Sequence, residues 1–203
     1  MAIANDVLTI LPAEDLATIS PKILDGDLLL CAAHDPFSRL IGWSTKSVWT
    51  HVAIAWRWPT VHRIVALECV QRIGVHSVGL ERFISQTSDG ARPYPGQIVL
   101  ARHADIKGRG DLMPLIDYAI DCMGDPFSPA EIVKIASRIA FARFNRIMPD
   151  HLKAKDEFIC SEYVDRCYRT VGIEIPWDGL GFIAPSDIAN DPKVSVVARF
   201  QTR

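Results

Sequence analysis

Val52, Ile54 and Trp56 alternate with Ala53 and Ala55, and a little further on Val65 and Leu67 alternate with Ala66 and Glu68. Period-two patterning in two adjacent runs predicts a pair of strands, Val52 to Trp58 and Val61 to Val70, turning at Pro59-Thr60. Pro-Thr is not the Asn-Gly type of pair that two-residue hairpin loops favour. Leu28 to Ala33 is a short apolar run opening from Gly26-Asp27, which predicts a buried strand. Phe37 to Trp43 reads as one or two helical turns after Pro36. Gly74 to Leu80 and Gln97 to His103 extend the set of strands, and Val194 to Phe200 closes it. The period then changes. Leu112, Leu115, Ile116, Ala119, Ile120 and Met123 recur at helical spacing, and Gly124-Asp125-Pro126 ends that helix. Pro129 to Ile147 and Phe158 to Val171 predict two more helices, the last stopped by Gly172. Strands first, helices later and a final strand predict an α+β fold rather than alternating βαβ units.

The chain of 203 residues is the length of one domain, and no repeat, low-complexity tract or linker divides it, so residues 1–203 are expected to form a single domain. Pro12 and Pro21 interrupt residues 1–25, which read as a leader draped on that domain. Hydrophobic residues at 49% and charged residues at 23% exclude a disordered or fibrous chain. A net charge of −2 argues against nonspecific nucleic-acid binding, which requires a positive field. No apolar run approaches a membrane span and no signal peptide is read at the N-terminus. Five cysteines, an odd number, favour reduced thiols in a cytosol-like compartment.

The hairpin brings chemistry together. With Pro59-Thr60 as the loop, Ala55 faces Ile64, Ala53 faces Ala66 and His51 faces Glu68. Opposed residues share a face, with Cβ atoms about 4.5–5.5 Å apart. The face of Val52, Ile54, Trp56, Val65 and Leu67 is bulky. The face of His51, Ala53, Ala55, Ala66 and Glu68 is small beside its polar pair, and invites close approach of another element. The helix beginning Phe158-Ile159-Cys160-Ser161-Glu162-Tyr163 is the candidate. A cysteine in a first helical turn meets the positive end of the macrodipole and unpaired N–H groups, which favour its thiolate and can hold an oxyanion. Cys160 as nucleophile, His51 as base and Glu68 as orienter form a covalent-catalysis set.

Four segments carry a family resemblance: Gly26-Asp27 with its strand, Thr50-His51-Val52-Ala53-Ile54, Ala66-Leu67-Glu68, and Phe158-Ile159-Cys160-Ser161-Glu162-Tyr163-Val164. In this order they resemble the circularly permuted NlpC/P60 enzymes, papain-like proteins of the YiiX/YebB type related to lecithin:retinol acyltransferase-like proteins. In that family His precedes Cys, the reverse of ordinary papain-like order. Ala119 to Phe127 is similar to the family's helix and Gly-x-Pro-aromatic turn. The resemblance spans about residues 23–188. It implies a papain-like domain with a small antiparallel sheet or half-barrel and the cysteine helix packed on it, and no cofactor. It implies Cys160, His51 and Glu68 as catalytic residues, and Tyr163 as a pocket wall.

Blander readings stand beside these. Cys160 could be a packed structural thiol, His51 a satisfied core histidine and Glu68 a rim carboxylate. Asp27 either lines the site or caps a turn, and Ser161 contributes its backbone N–H rather than its hydroxyl. Cys31 and His34 lack a second ligand pair at zinc-like spacing, so no metal is expected. The basic stretch 134–155 is a solvated face or a surface for an anionic partner. Three functions remain open: an amidase or peptidase acting on peptide or isopeptide bonds, including cell-wall-type peptides; a lipid-directed acyltransferase or lipase with the same three residues; and a noncatalytic binding module.

Overall fold

The computed structural model describes residues 3, 6–87, 90, 92–127, 159–177 and 183–202. The helix expected over Pro129 to Ile147 and the basic stretch 134–155 lie outside the described residues. The α+β expectation holds. In chain order the strands are β1 (Ala13–Glu14), β2 (Asp27–Ala33), β3 (His51–Trp58), β4 (Arg63–Val70), β5 (Gly74–Gly79), β6 (Gly96–His103) and β7 (Val194–Phe200). The described helices are α1 (Val7–Ile10), α2 (Leu16–Ile19), α3 (Pro36–Thr45), α4 (Leu80–Ser85), α5 (Ala104–Lys107), α6 (Met113–Asp121), α7 (Cys160–Thr170) and α8 (Pro185–Asn190).

The sheet is larger than the small sheet or half-barrel expected. Seven strands run in the order β1-β7-β6-β2-β3-β4-β5, antiparallel except for the β1–β7 pair. The continuous apolar run of β2 is explained by its place. It lies between β3 and β6, and every one of its residues is buried.

Described residues between 13 and 23 pair with the sheet and enter the core. Ala13 and Glu14 pair with Arg199 and Phe200 at the β7 edge. Ile19 and Ile23 are fully buried in the core. The prolines that break long elements here still permit a two-residue strand and a short helix.

The hairpin register differs from the expected one. Pro59–Val61 forms a 3-10 turn and His62 adopts φ 51°, so the connection has four residues instead of two. Ile54 pairs with Leu67 and Ala55 with Ala66, a shift of two positions. A shift of two preserves which face each side chain occupies, whereas a shift of one reverses it. His51 and Glu68 therefore stay on one face as diagonal rather than direct neighbours.

Both faces of the sheet are covered, and the cysteine helix lies on the one not expected. Tyr163, Val164, Cys167 and Tyr168 of α7 pack in one cluster with Val52, Ile54 and Leu67, the bulky face. The small face of Ala53, Ala55 and Ala66 is covered by Leu80, Phe83 and Ile84 of α4 together with Ile19 and Ile23. The physical reason is area. A helix that must bury a stripe of aromatic and aliphatic side chains gains more from large partners than from alanines. The α7 stripe stops at Gly172, whose φ of 68° lets Gly172 N–H reach Arg169 O and Ile173 N–H reach Tyr168 O.

Candidate active site

Antiparallel pairing gathers strand ends. Cys31 pairs with His51, Val70 with Gly74 and Ala33 with Gly96, so β2 and β4 finish where β3, β5 and β6 begin. A cleft of about 590 Å³ opens at this end. Its walls come from residues 33–35 after β2, Thr50 and His51, residues 69–73 across the β4–β5 turn, residues 92–95 before β6, and Phe127, Ile159, Cys160, Ser161 and Pro185.

Cys160 is the first residue of α7, preceded by Ile159 in extended conformation with no side-chain cap. The first-turn N–H groups therefore have no intrahelical acceptor and point out at the helix tip. The Cys160 side reaches His51 at the end of the sheet, where β3 starts, rather than through a face. The helix comes from the bulky side, and the imidazole comes from the small side, where its ring lies 6.4 Å from that of Phe83. Residue exposure at Cys160 is 7%, enough for it to line the cleft.

His51 Nε2 donates to Glu68 Oε2 at 2.7 Å. That leaves Nδ1 as the ring nitrogen for the sulfur. Glu68 is 1% exposed. Burial alone would raise its pKa, but the hydrogen bond from His51 and the close approach of the His51 and His76 imidazoles outweigh this and lower it to about 2. Burial likewise opposes a charged His51. The charge and hydrogen bond of Cys160, then those of Glu68, reverse the balance and hold the imidazole well above its ordinary range. Sulfur and imidazole thus meet at the cleft wall, with the carboxylate buried behind the imidazole.

Other expected site residues lie elsewhere. Tyr163 is fully buried in the core, donates to Ala119 O at 3.2 Å and does not line the cleft. One helical turn beyond Cys160, it belongs to the stripe facing the sheet and α6. Asp27 is also fully buried, at the opposite end of β2, about 20 Å from the cleft at strand rise. Arg102 Nε and Nη2 donate to its two oxygens at 2.6 and 2.7 Å, and Leu24 N–H donates at 2.8 Å. Burial nevertheless raises the Asp27 pKa. It closes the turn at Gly26 rather than lining the site. Ser161 does line the cleft, and its hydroxyl donates to Ile183 O at 2.5 Å. No residue of the 1–25 segment is among the cleft-lining residues described.

The Gly124-Asp125-Pro126-Phe127 turn docks on the edge of β5. Gly124 N–H donates to Val75 O and Val75 N–H to Asp125 O, both at 2.9 Å. Gly74, at φ 85°, is required there, because a Cβ would stand 2.1 Å from Asp125 O. The docking carries Phe127 into the cleft wall.

Two neighbours of the site were not read from the sequence. His76 faces Glu68 across β4–β5, its Nε2 3.1 Å from Oε1. The signal existed: a three-residue loop between Val70 and Gly74 opposes positions 68 and 76. Tyr94 hydrogen-bonds the Cys31 thiol, which burial pushes up to about 11. Cys31 in turn is the β2 partner of His51. Nothing in the local pattern around Tyr94 reveals that contact.

A structural comparison places the architecture. The crystal structure of metalloprotein yiiX from Escherichia coli O157:H7 is similar to this chain at a TM-score of 0.61, with 16% identity over 86% of this chain and 96% of that one. No family model and no curated protein matches the sequence. Among the described residues, no three His, Cys, Asp or Glu side chains are grouped so as to hold a metal ion. The chain has a yiiX-like α+β fold whose cleft lies at the end of the sheet where Cys160, His51 and Glu68 meet.

Proposed function

We propose that this chain is a cysteine hydrolase that cleaves amide bonds of peptide or isopeptide type. The observation that carries this reading is the contact of His51 with both Glu68, at 2.7 Å, and Cys160 at a helix tip lining a cleft. The Cys160 thiolate adds to the substrate carbonyl carbon, and first-turn N–H groups of α7 receive the developing oxyanion. The C–N bond breaks as His51 gives its proton to the leaving amine. Water then loses a proton to His51 and adds to the acyl-thioester, and the acid leaves with return of the thiolate. Glu68 keeps the ring oriented and favours its charged form. An imidazolium beside the sulfur suits an amide, whose amine leaves only when protonated.

The cleft walls suggest a substrate class. Arg72 and Arg92 are exposed there. Asp35, the lining carboxylate, accepts from Ser38 N–H and Oγ. A peptide bearing a carboxylate matches that rim. A second reading has its own support: Ile41, Val70, Ile73, Phe127 and Ile159 give the cleft an apolar wall suited to the acyl chain of a lipid ester. The same thioester route would then serve a lipase or acyltransferase.

The deciding experiment presents peptide-amide and lipid-ester libraries to the wild type and to Cys160→Ala. Peptide turnover lost in the variant is expected. Turnover of lipid esters alone establishes the second reading. Turnover of neither, with an unreactive Cys160, leaves a binding module.

A further inference from the structure

We propose that His76 is a positioning residue of the site, holding Glu68 Oε1 so that Oε2 stays aimed at His51. The inference rests on the cysteine-hydrolase reading for its consequence in catalysis, but its geometry stands apart from it.

Glu68 is a buried carboxylate with two oxygens and two imidazoles. His51 takes Oε2 at 2.7 Å, and His76 Nε2 stands 3.1 Å from Oε1. The latter contact is off the hydrogen-bond axis, and among the described residues neither buried atom has a better-directed partner. A carboxylate that lost His76 would keep an uncompensated buried oxygen, and could regain hydration only by rotating away from His51 or by taking up a proton. Either change removes the acceptor that steadies the His51 ring. The pairing is built by the sheet, since Glu68 and His76 are cross-strand partners. His76 is not among the described residues that line the cleft. Its side chain is 19% exposed even though Nε2 is buried.

The other ionisable groups around the His51–Glu68 pair are Cys160 from α7, Cys31 from β2, Cys69 from β4 and Tyr94 from the segment before β6. The α4 cover contributes the apolar Leu80, Phe83 and Ile84. Apart from His51, His76 is, among the described residues, the group placed to donate to the carboxylate.

The test reads His51 itself. In ¹⁵N-histidine NMR of the wild type, His76 should carry a proton on Nε2 near neutral pH; a neutral ring protonated only on Nδ1 overturns the proposal without any variant. In His76→Leu, the His51 titration should move down by about one pH unit, and the rate of Cys160 alkylation by iodoacetamide should fall about tenfold. His76→Gln, which restores a donor, should recover most of both. A folded His76→Leu whose His51 titration is unchanged or raised overturns the proposal. These resonances need no turnover, so failure here is distinct from failure of the hydrolase reading, which appears as a wild-type Cys160 no more reactive than the other thiols.

Discussion

Glu68 meets His51 at 2.7 Å across a hairpin in which the two are diagonal neighbours, not opposed ones. A glutamate spans that offset where a shorter carboxylate would not, since diagonal positions are about 7–8 Å apart at Cα. Burial would keep the imidazole neutral; Cys160 first, and then this contact with Glu68, hold it charged.

Unequal thiol reactivity follows first. All five cysteines are buried and outside any disulfide; Cys69 and Cys160 both line the cleft, but burial raises the Cys69 thiol whereas Cys160 sits at a helix tip beside an imidazolium. Iodoacetamide near neutral pH should label Cys160 fastest, and His51→Ala should slow it by about two orders of magnitude. Peptide mapping with time resolves the five sites. Uniform labelling would contradict an activated sulfur.

Glu68→Gln separates orientation from binding and carries a stability signature. It should lower kcat by about 10- to 100-fold with KM little changed, because the side chain acts on the His51 ring and not on substrate. Glu68 ionises at about 2 in the fold against a usual value of 4.5. A depressed pKa contributes stability that is full above 4.5 and is lost as pH falls toward 2. The slope of stability against pH in that window should be shallower in Glu68→Gln than in the wild type. Equal slopes in chemical denaturation would remove the paired carboxylate.

Much of this candidate site is legible in the sequence. The period-two runs marked β3 and β4, and the cysteine at the start of a helical run marked the nucleophile candidate. The hairpin register was off by two because Pro59 starts a 3-10 turn that continues through His62, a feature that two-residue loop rules do not anticipate. His51 and Glu68 kept a common face only because the error was even. The packing face of α7 was misread because small residues beside a polar pair imply space, whereas helix placement is decided by buried area; α4 used that space instead. Asp27 and Tyr163 lie in segments whose family resemblance points them toward the site, but strand length and helical phase carry both away.

Ser161 tests backbone against side chain. Its hydroxyl is occupied by Ile183 O, and its N–H lies in the first turn of α7. Ser161→Ala should cost about 1 kcal/mol of stability by leaving that carbonyl unpaired. The oxyanion donors would be untouched, so kcat should stay within about twofold of wild type. A large fall in kcat at full folding would assign the hydroxyl a chemical role.

The arginines of the cleft predict a charge preference. Arg92→Glu should raise KM for carboxylate-bearing peptides by about tenfold, as expected for one lost charge-assisted contact, and should leave neutral substrates nearly unaffected. Labelling of Cys160 by neutral iodoacetamide should be unchanged. Equal effects on charged and neutral peptides would indicate distortion of the cleft.

Arg102→Ala probes the end of the sheet farthest from the cleft. The guanidinium holds both oxygens of Asp27, which is fully buried, while Arg102 itself is 18% exposed. Removing it leaves a carboxylate whose pKa burial already raises. Breaking such a pair costs on the order of 3 kcal/mol, which for a chain of this length lowers Tm by roughly 10 °C. Asp27→Asn should cost less, because an amide needs no counter-charge. In both variants the folded protein should alkylate at Cys160 at the wild-type rate, since β2 separates the pair from the cleft by its whole length. Loss of Tm together with loss of labelling at temperatures where the protein remains folded would tie Asp27 to the site after all.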